Sequence, residues 1–391
     1  MATHDYHTLL VAYCHGQDND LKQEALAERL GLSGQAQVSK LLKQAKQMGY
    51  LREVFEFPSD VSQDTRREIE NSYFSKHSVL EAELIRRAQI LRDKRSDGSS
   101  PFKRLYVCAA PGLDIRDDKA RERAFSTFGA NAAEIVAGYI DHADTCCVAW
   151  GRTVHATVRH VRARTAAPEP RKTFMPIAGE PTNYEPNGIS PSDAAQTLAA
   201  AWPGSDYLSL RGVQARIPKS VYERDSAGIA RDLARDSDNY RRIFGPTDNQ
   251  DRPFITQVSM ILTGIGNSQT SGRASGVTGL EDPMWLETAK AEGRDVLSLA
   301  GGNIGGICIP RQDATADERD KIEQMNQRWL GAEHGHFERC SLRGGSADRP
   351  GVVVLAVEPE KAEIVLEALY LMNVLIISRH LADALAEELK V

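Results

Sequence analysis

The segment LKQEALAERLGLSGQAQVSKLLKQAKQMGYL, residues 21–51, contains two short amphipathic patterns separated by a glycine. The first pattern predicts a helix over residues 21–30, with Ala25 and Ala27 small enough for close helix packing. Gly31 can end this helix in the left-handed conformation, and Ser33 can cap the next one. The second pattern runs from about residue 34 to residue 48, and its apolar positions are Val38, Leu41, Leu42 and Ala45. Two helices joined by a tight glycine turn are typical of a helix-turn-helix.

The residues on either side complete a small N-terminal domain. Residues 4–15 show a third helical pattern, and residues 50–57 alternate weakly before Pro58, as a strand or wing would. We therefore expect a winged helix-turn-helix domain over residues 1–58.

Basic and acidic residues are unevenly distributed in the same region. Residues 29–52 contain five basic side chains and no acidic one, although the whole chain has a formal net charge of −6. Local charge rather than total charge decides whether a surface meets phosphate. The outward residues of the second helix and its turn are then candidate DNA contacts: Ser33, Gln35, Gln37, Ser39, Lys40 and Lys43. A helical hairpin with a solvated polar face is the alternative interpretation.

The composition is that of an ordinary globular protein. The chain has 391 residues, of which 41% are hydrophobic and 26% charged, enough for a small domain and a large one. No apolar run long enough for a membrane span and no secretory signal is visible, so we expect a cytoplasmic protein without a membrane partner. The six cysteines suit a reducing compartment. Residues 334–340 carry two histidines and a cysteine, which we interpret as a loop rather than a metal site, and we expect no cofactor.

The rest of the chain alternates between strand and helix patterns. Residues 59–100 predict a charged helical connector, and residues 101–391 predict an α/β domain with a mainly parallel sheet. The strand patterns cover residues 104–109, 145–150, 172–178, 207–210, 257–263, 296–299, 352–357 and 374–377. The helix patterns cover residues 118–142, 153–163, 190–201, 225–235, 281–292, 314–330, 359–371 and 380–390.

One strand end carries a candidate ligand loop. The apolar strand ending at Trp150 runs into Gly151, Arg152 and Thr153 and then into a helix. Free backbone N–H groups at a helix start suit a phosphate, Gly151 permits close approach, Arg152 adds charge, and Thr153 can cap the helix or donate its hydroxyl. An ordinary strand-to-helix turn is the alternative.

Several segments together resemble the SorC family of sugar-responsive transcription regulators. Residues 23–33 and 38–42 resemble that family's N-terminal segment, and residues 148–154, VAWGRTV, resemble its strand–loop–helix motif. Residues 262–266, 293–305 and 360–364 follow in the family order. The resemblance implies a winged helix-turn-helix and an effector domain of the kind found in phosphosugar isomerases, deaminases and CoA transferases. It also implies a homotetramer whose affinity for operator DNA changes with a sugar or sugar phosphate.

The resemblance also adds candidate effector contacts. Lys361 stands where the family places a lysine facing the effector, and Asn303 stands where the family has a carboxylate. Gly179 and Gly264 follow strand ends, where open α/β sheets bind ligands. The glycines expected before Lys361 are replaced by residues 357–360, VEPE.

Three functions remain open on the sequence. We expect a DNA-binding regulator that is not an enzyme. A sugar-phosphate isomerase or deaminase with an accessory N-terminal domain is the alternative, although no persuasive catalytic base is visible. A DNA-binding scaffold whose ligand pocket has decayed is the third.

Overall fold

The structure is a computed structural model that describes residues 6–17, 22–48, 50, 63–93, 101–114, 117–165, 167, 170–180, 190–224, 228–245, 252–267, 300–345 and 349–391. Its N-terminal part contains three helices, α1 (Tyr6–Gln17), α2 (Gln23–Arg29) and α3 (Gln35–Gln47). They enclose a small core of their own, in which Leu9, Leu26 and Val38 are among the buried residues. Ala27 is buried in it as predicted, whereas Ala25 is exposed and takes no part in the helix packing. The predicted wing at residues 50–57 lies outside the described residues except for Tyr50.

A long helix, α4 (Gln63–Asp93), follows the N-terminal helices. Its last half has one apolar face, with Leu80, Leu84, Ala88 and Leu91 spaced by three or four residues. These four side chains join the main core of the following domain, so this half of α4 is packed against that domain. The burial explains why so charged a helix is stable in its second half.

The large domain is built on a mainly parallel sheet. The strands are β1 (Arg104–Cys108), β2 (Thr145–Val148), β3 (Thr173–Pro176), β4 (Asp206–Tyr207), β5 (Met260–Asn267), β6 (Ala300–Ile304), β7 (Ile307–Pro310), β8 (Gly351–Ala356) and β9 (Val374–Ser378). Seven of them form parallel neighbours in the order β1-β9-β8-β5-β2-β3-β4. The other two form an antiparallel hairpin, β6–β7, which extends from the end of β5.

Helices cover both faces of this sheet. They are α5 (Asp118–Asp141), α6 (Arg152–Val158), α7 (Pro191–Ala201), α8 (Lys219–Tyr222), α9 (Ile229–Arg235), α10 (Asp238–Phe244), α11 (Ala316–Asn326), α12 (His334–Arg343), α13 (Ala362–Ala368) and α14 (Arg379–Leu389). Every residue of β8 is buried, and its side chains alternate between two cores, with Val352 and Val354 in one and Val353 and Leu355 in the other. A parallel strand covered on both faces needs this continuous apolar sequence.

The observed elements confirm the predicted α/β domain with a mainly parallel sheet and correct two local interpretations. The hairpin β6–β7 was not predicted, because glycines at positions 301, 302, 305 and 306 mask its strand pattern. Residues 334–343 form helix α12 and not the predicted loop. The strand predicted at 296–299 and the helix predicted at 281–292 lie outside the described residues. Among the helices that are described, none is long and apolar enough to span a membrane.

Candidate functional site

The turn between α2 and α3 has the geometry that the sequence predicts. Gly31 adopts a left-handed φ of 64°. Its N–H donates to the Glu28 carbonyl, and the Leu32 N–H donates to the Ala27 carbonyl, a pair of bonds that closes a helix C-terminus. Leu32 packs against the small core, so the chain reverses direction tightly before α3 begins.

The start of α3 differs from the prediction at Ser33. The residue preceding the helix is Gly34, with φ 139°, and no side chain caps the helix. Ser33 instead donates from its backbone N–H and its Oγ to Oε1 of Gln37, each at 2.7 Å. The Gln37 amide oxygen is therefore engaged within the turn, and pairing both amide atoms of Gln37 with adenine requires these bonds to open.

Helix α3 has one buried apolar face and one exposed polar face, as predicted. The apolar residues Val38, Leu41, Leu42 and Ala45 are buried. Five of the candidate DNA contacts are exposed, namely Ser33 in the turn and Gln35, Ser39, Lys40 and Lys43 on α3. Residues 35, 39 and 43 lie one helical turn apart, and Lys40 lies three positions before Lys43, so the four side chains form one polar, basic stripe along α3.

A second site lies where the sheet changes winding direction. Strands β2 and β5 are neighbours, but the chain leaves β2 toward β3 on one side and later runs from β5 toward β8 on the other. Loops that leave two such strands in opposite directions open a crevice at the carboxyl ends of the strands, which is where open α/β sheets bind ligands. The predicted loop at Gly151–Thr153 and the predicted Gly264 both lie at this crevice.

The Gly151 loop is built differently from the prediction in one respect. Gly151, with φ 122°, is the N-cap of α6 and has open space where a side chain would project. Arg152 and Thr153 therefore fall within the first turn of the helix, and Thr153 does not cap it. Thr153 is 4% exposed, while Arg152 is partly exposed. Arg152 is thus the more accessible of the two side chains.

The structure brings Gly264 and Asn303 to the same crevice. A side chain at Gly264 would lie in ordinary contact with Val154 of α6 and the Leu355 carbonyl of β8, so three elements meet at this position. Its carbonyl accepts a hydrogen bond from Gly305 in the β6–β7 turn, at 3.3 Å. Asn303 pairs with Gly266 and is 8% exposed. Among the described residues its Nδ2 has no hydrogen-bond partner.

Gly179 has a packing reason to be glycine. Its N–H donates to the Leu330 carbonyl at 3.2 Å. A side chain at this position would overlap the backbone of Val213 and Gln214. Its place after β3 agrees with the prediction, but the backbone around it is already crowded.

Lys361 is held by a neighbouring acid. Its Nζ lies 2.6 Å from Oε2 of Glu358, and the exposed fractions of the two side chains are 9% and 2%. The segment Pro359–Lys361 is a turn of 3₁₀ helix that connects β8 to α13, next to β5. The predicted effector lysine is therefore at the edge of the crevice, but its charge is already neutralised.

Sequence reasoning missed an aromatic wall beside the crevice. Trp329 packs on Trp150 with ring centroids 5.4 Å apart, and the Arg216 guanidinium lies 5.6 Å from the Trp329 ring centre. The Arg216 NH2 also donates to the Gly306 carbonyl at 3.1 Å. Residues 311–336 look like a charged insertion, and the adjacent apolar residues at 329 and 330 are the signal that could have indicated this contact.

The remaining titratable groups have structural roles. His334 Nε2 lies 2.8 Å from the Tyr370 hydroxyl, and the Nδ1 of His336 accepts from the Glu333 N–H at 3.0 Å. Burial raises the pKa of Cys146 to about 12, so this thiol is not a nucleophile at neutral pH. Within the described part of the chain, no group of three or more potential ligands could hold a metal ion.

The chain thus combines a compact helix-turn-helix with a doubly wound α/β domain that has Gly151 and Gly264 at its switch point. The full-length sorbitol operon regulator SorC from Klebsiella pneumoniae has this fold. The two are 17% identical with a TM-score of 0.52, covering 97% of this chain and 99% of that one. This similarity confirms the predicted fold over nearly the whole chain.

A second solved structure is less similar to this chain. A transcriptional regulator from Streptococcus pneumoniae TIGR4 is 13% identical, with a TM-score of 0.49, over 84% of this chain and 99% of that one. No family model and no curated protein matches the sequence.

Proposed function

We propose that this chain is a transcription regulator of the SorC type, which binds operator DNA through α3 and responds to a small sugar-like metabolite bound at the crevice. The observation that carries the proposal is the exposed stripe of Gln35, Ser39, Lys40 and Lys43 on a helix whose opposite face is buried. In helix-turn-helix proteins the second helix enters the major groove, and its N-terminal residues face the base edges.

Each part of the stripe has a distinct role in this proposal. Gln35 lies in the first turn of α3 and can read a base edge, whereas Lys40 and Lys43 lie further along and neutralise phosphates. Ser33 and Gln37 form the turn that sets the angle at which α3 begins. They contact DNA at the edge of the protein–DNA interface.

The effector part of the proposal uses the crevice. Gly151, Arg152 and Thr153 would receive the anionic end of a phosphorylated effector, and Asn303 would bind a hydroxyl group. Gly264 keeps the floor of the crevice open, and Gly179 and Lys361 lie at its edges. Effector binding would favour one arrangement of the subunits, in a cytoplasmic homotetramer, and so change the operator affinity.

Operator binding by lysine variants tests the DNA part. Lys40→Ala and Lys43→Ala should each weaken binding to the chain's own promoter and lower the slope of log K against log salt by about 0.9, one phosphate contact. Fluorescence anisotropy between about 50 and 200 mM salt measures both quantities. Lys119→Ala, on the exposed start of α5, is the matched control and should leave both unchanged. Unchanged affinity and slope in both α3 variants would refute the assignment of α3.

A thermal-shift panel of sugars, polyols, sugar acids and sugar phosphates tests the effector part. A ligand that binds only the folded state raises the melting temperature by linkage. Arg152→Ala and Thr153→Val should abolish the shift and the change in operator affinity, while binding DNA as the wild type does. A normal response in both variants would show that the loop is not the effector site. Catalytic turnover of a sugar phosphate would instead favour the alternative function, a sugar-phosphate isomerase or deaminase.

A further inference from the structure

The buried pair of Glu358 and Lys361 changes what the crevice can bind. Glu358 follows β8 by two residues, and only 1% of its surface is exposed. Apart from the ion pair with Lys361, neither of its carboxylate oxygens has a hydrogen-bond partner among the described residues. The Lys361 ammonium therefore has a permanent counter-ion supplied by its own chain, three positions away.

Charge around this pair is unfavourable for a second anion. Residues 358–363, EPEKAE, carry three carboxylates and one ammonium. Glu363 is paired with Arg311, at 2.6 Å, and Glu358 is the carboxylate paired with Lys361. A phosphate approaching Lys361 would meet a carboxylate at the same nitrogen, and repulsion between like charges is strong where water is excluded.

Asn303 gives an independent indication of the same preference. Its unpartnered Nδ2 is a neutral donor, and its neighbour Gly302 lies against Ile364 at the start of α13, the helix that Lys361 precedes. Gly302 therefore borders α13, and Asn303 is its neighbour along β6, opposite Gly266 of β5. A hydroxyl oxygen satisfies a neutral amide donor, and a hydroxyl proton satisfies a carboxylate with spare lone pairs.

We infer that Glu358 is the residue that sets the charge preference of the effector site around Lys361, because it neutralises the ammonium and so favours uncharged hydroxyl groups over phosphate there. The inference rests on the proposed function for the existence of an effector. Any phosphate that the effector carries then lies at the Gly151 loop and not at Lys361.

Phosphate binding to Glu358 variants tests the inference. Inorganic phosphate is titrated calorimetrically into the full-length wild type, Glu358→Gln and the double variant Glu358→Gln/Lys361→Gln. Freed from its counter-ion, Lys361 should make Glu358→Gln bind phosphate at least about tenfold more tightly than the wild type. The double variant should return to the wild-type affinity. Glu363→Gln, which removes a carboxylate on the same segment but leaves Lys361 paired, should stay within about twofold of the wild type.

Two results would overturn the inference. One is equal phosphate affinity in the wild type and Glu358→Gln. The second result applies if Glu358→Gln does not fold. The double variant leaves no unpaired charge, so its phosphate affinity can be compared directly with that of the wild type. If the wild type binds phosphate at least about tenfold more tightly than the double variant, Lys361 attracts anions despite Glu358. Operator binding is measured separately, without phosphate. Absence of operator binding by the wild type would contradict the proposed function alone.

Discussion

At the scale of single residues, the glycines of the β6–β7 turn show how closely the crevice is packed. Gly305 and Gly306 have φ values of 56° and 94°, in the left-handed region. A side chain at Gly306 would overlap the ring of Trp329, which itself packs on Trp150. The turn therefore needs glycine for both its backbone conformation and its contact with the aromatic wall.

Gly306→Ala should accordingly lower the free energy of unfolding by about 2–4 kcal/mol, from backbone strain and overpacking together. Gly228→Ala is the matched control, because Gly228 has a similar φ of 77° but open space where a side chain would project. It should cost about 1 kcal/mol from strain alone. Urea unfolding of both variants measures the difference, and equal costs would show that the Trp329 contact is not tight.

Individual site residues were only partly predictable from the sequence. Glycine, charge and strand ends located Gly151, Arg152 and Gly264 at the switch point, because parallel strands bring their carboxyl ends together. The partner of Lys361 was not predicted, although Glu358 lies only three residues away. Whether two such side chains meet depends on the 3₁₀ turn at Pro359–Lys361, which a sequence pattern does not specify.

At the scale of elements, helix α12 shows a signal that was present and misinterpreted. The segment with its two histidines was interpreted as a loop, but the histidines lie in the first turn of a helix, where His336 accepts a hydrogen bond from the Glu333 N–H. Burial, and then the nearby Arg339, lower the pKa of His336 to about 4. The neutral ring is therefore part of the folded structure.

This pKa gives a pH dependence with a definite sign. The ordinary pKa of 6.5 applies to the unfolded chain, so stability is full above about pH 6.5 and is lost as the pH falls toward about 4. The loss attributable to this residue should be about 3 kcal/mol. His336→Asn can still accept the bond but does not titrate, so its unfolding free energy should fall less over this range. Parallel pH profiles would contradict the assignment.

Long, regular elements were predicted well and glycine-rich ones poorly. The continuous apolar sequence of β8 and the periodic face of α5 identified both elements within a residue or two. The hairpin β6–β7 was missed because its side chains do not alternate clearly and its stability comes from pairing with β5. Its position over the crevice could be found only from the tertiary fold.

At the scale of the whole molecule, α4 is joined to the sheet domain by a buried arginine. Arg92 is fully buried and pairs with Glu338 of α12 at 3.4 Å. The same helix α12 follows the segment that carries Trp329, which lines the crevice. The connector and the candidate effector site therefore share one packed unit.

Arg92→Met should lower the free energy of unfolding by about 1–2 kcal/mol, because it removes the hydrogen bond of a fully buried arginine, while the Glu338 carboxylate left behind is 31% exposed. Arg86→Met, on the same helix, removes an exposed arginine that pairs with Glu83 one turn away. It should leave the urea midpoint unchanged, since such surface pairs contribute little. Similar midpoints in the two variants would show that Arg92 does not anchor α4.

The length of α4 has a mechanical consequence. A helix of 31 residues is about 46 Å long. If its packed end tilts by about 10°, its free end moves by about 8 Å, roughly a quarter of one turn of duplex DNA. If the chain has the function proposed above, a slight rotation at the packed end of α4 would move α3 off its DNA half-site, without any large movement at the candidate effector site.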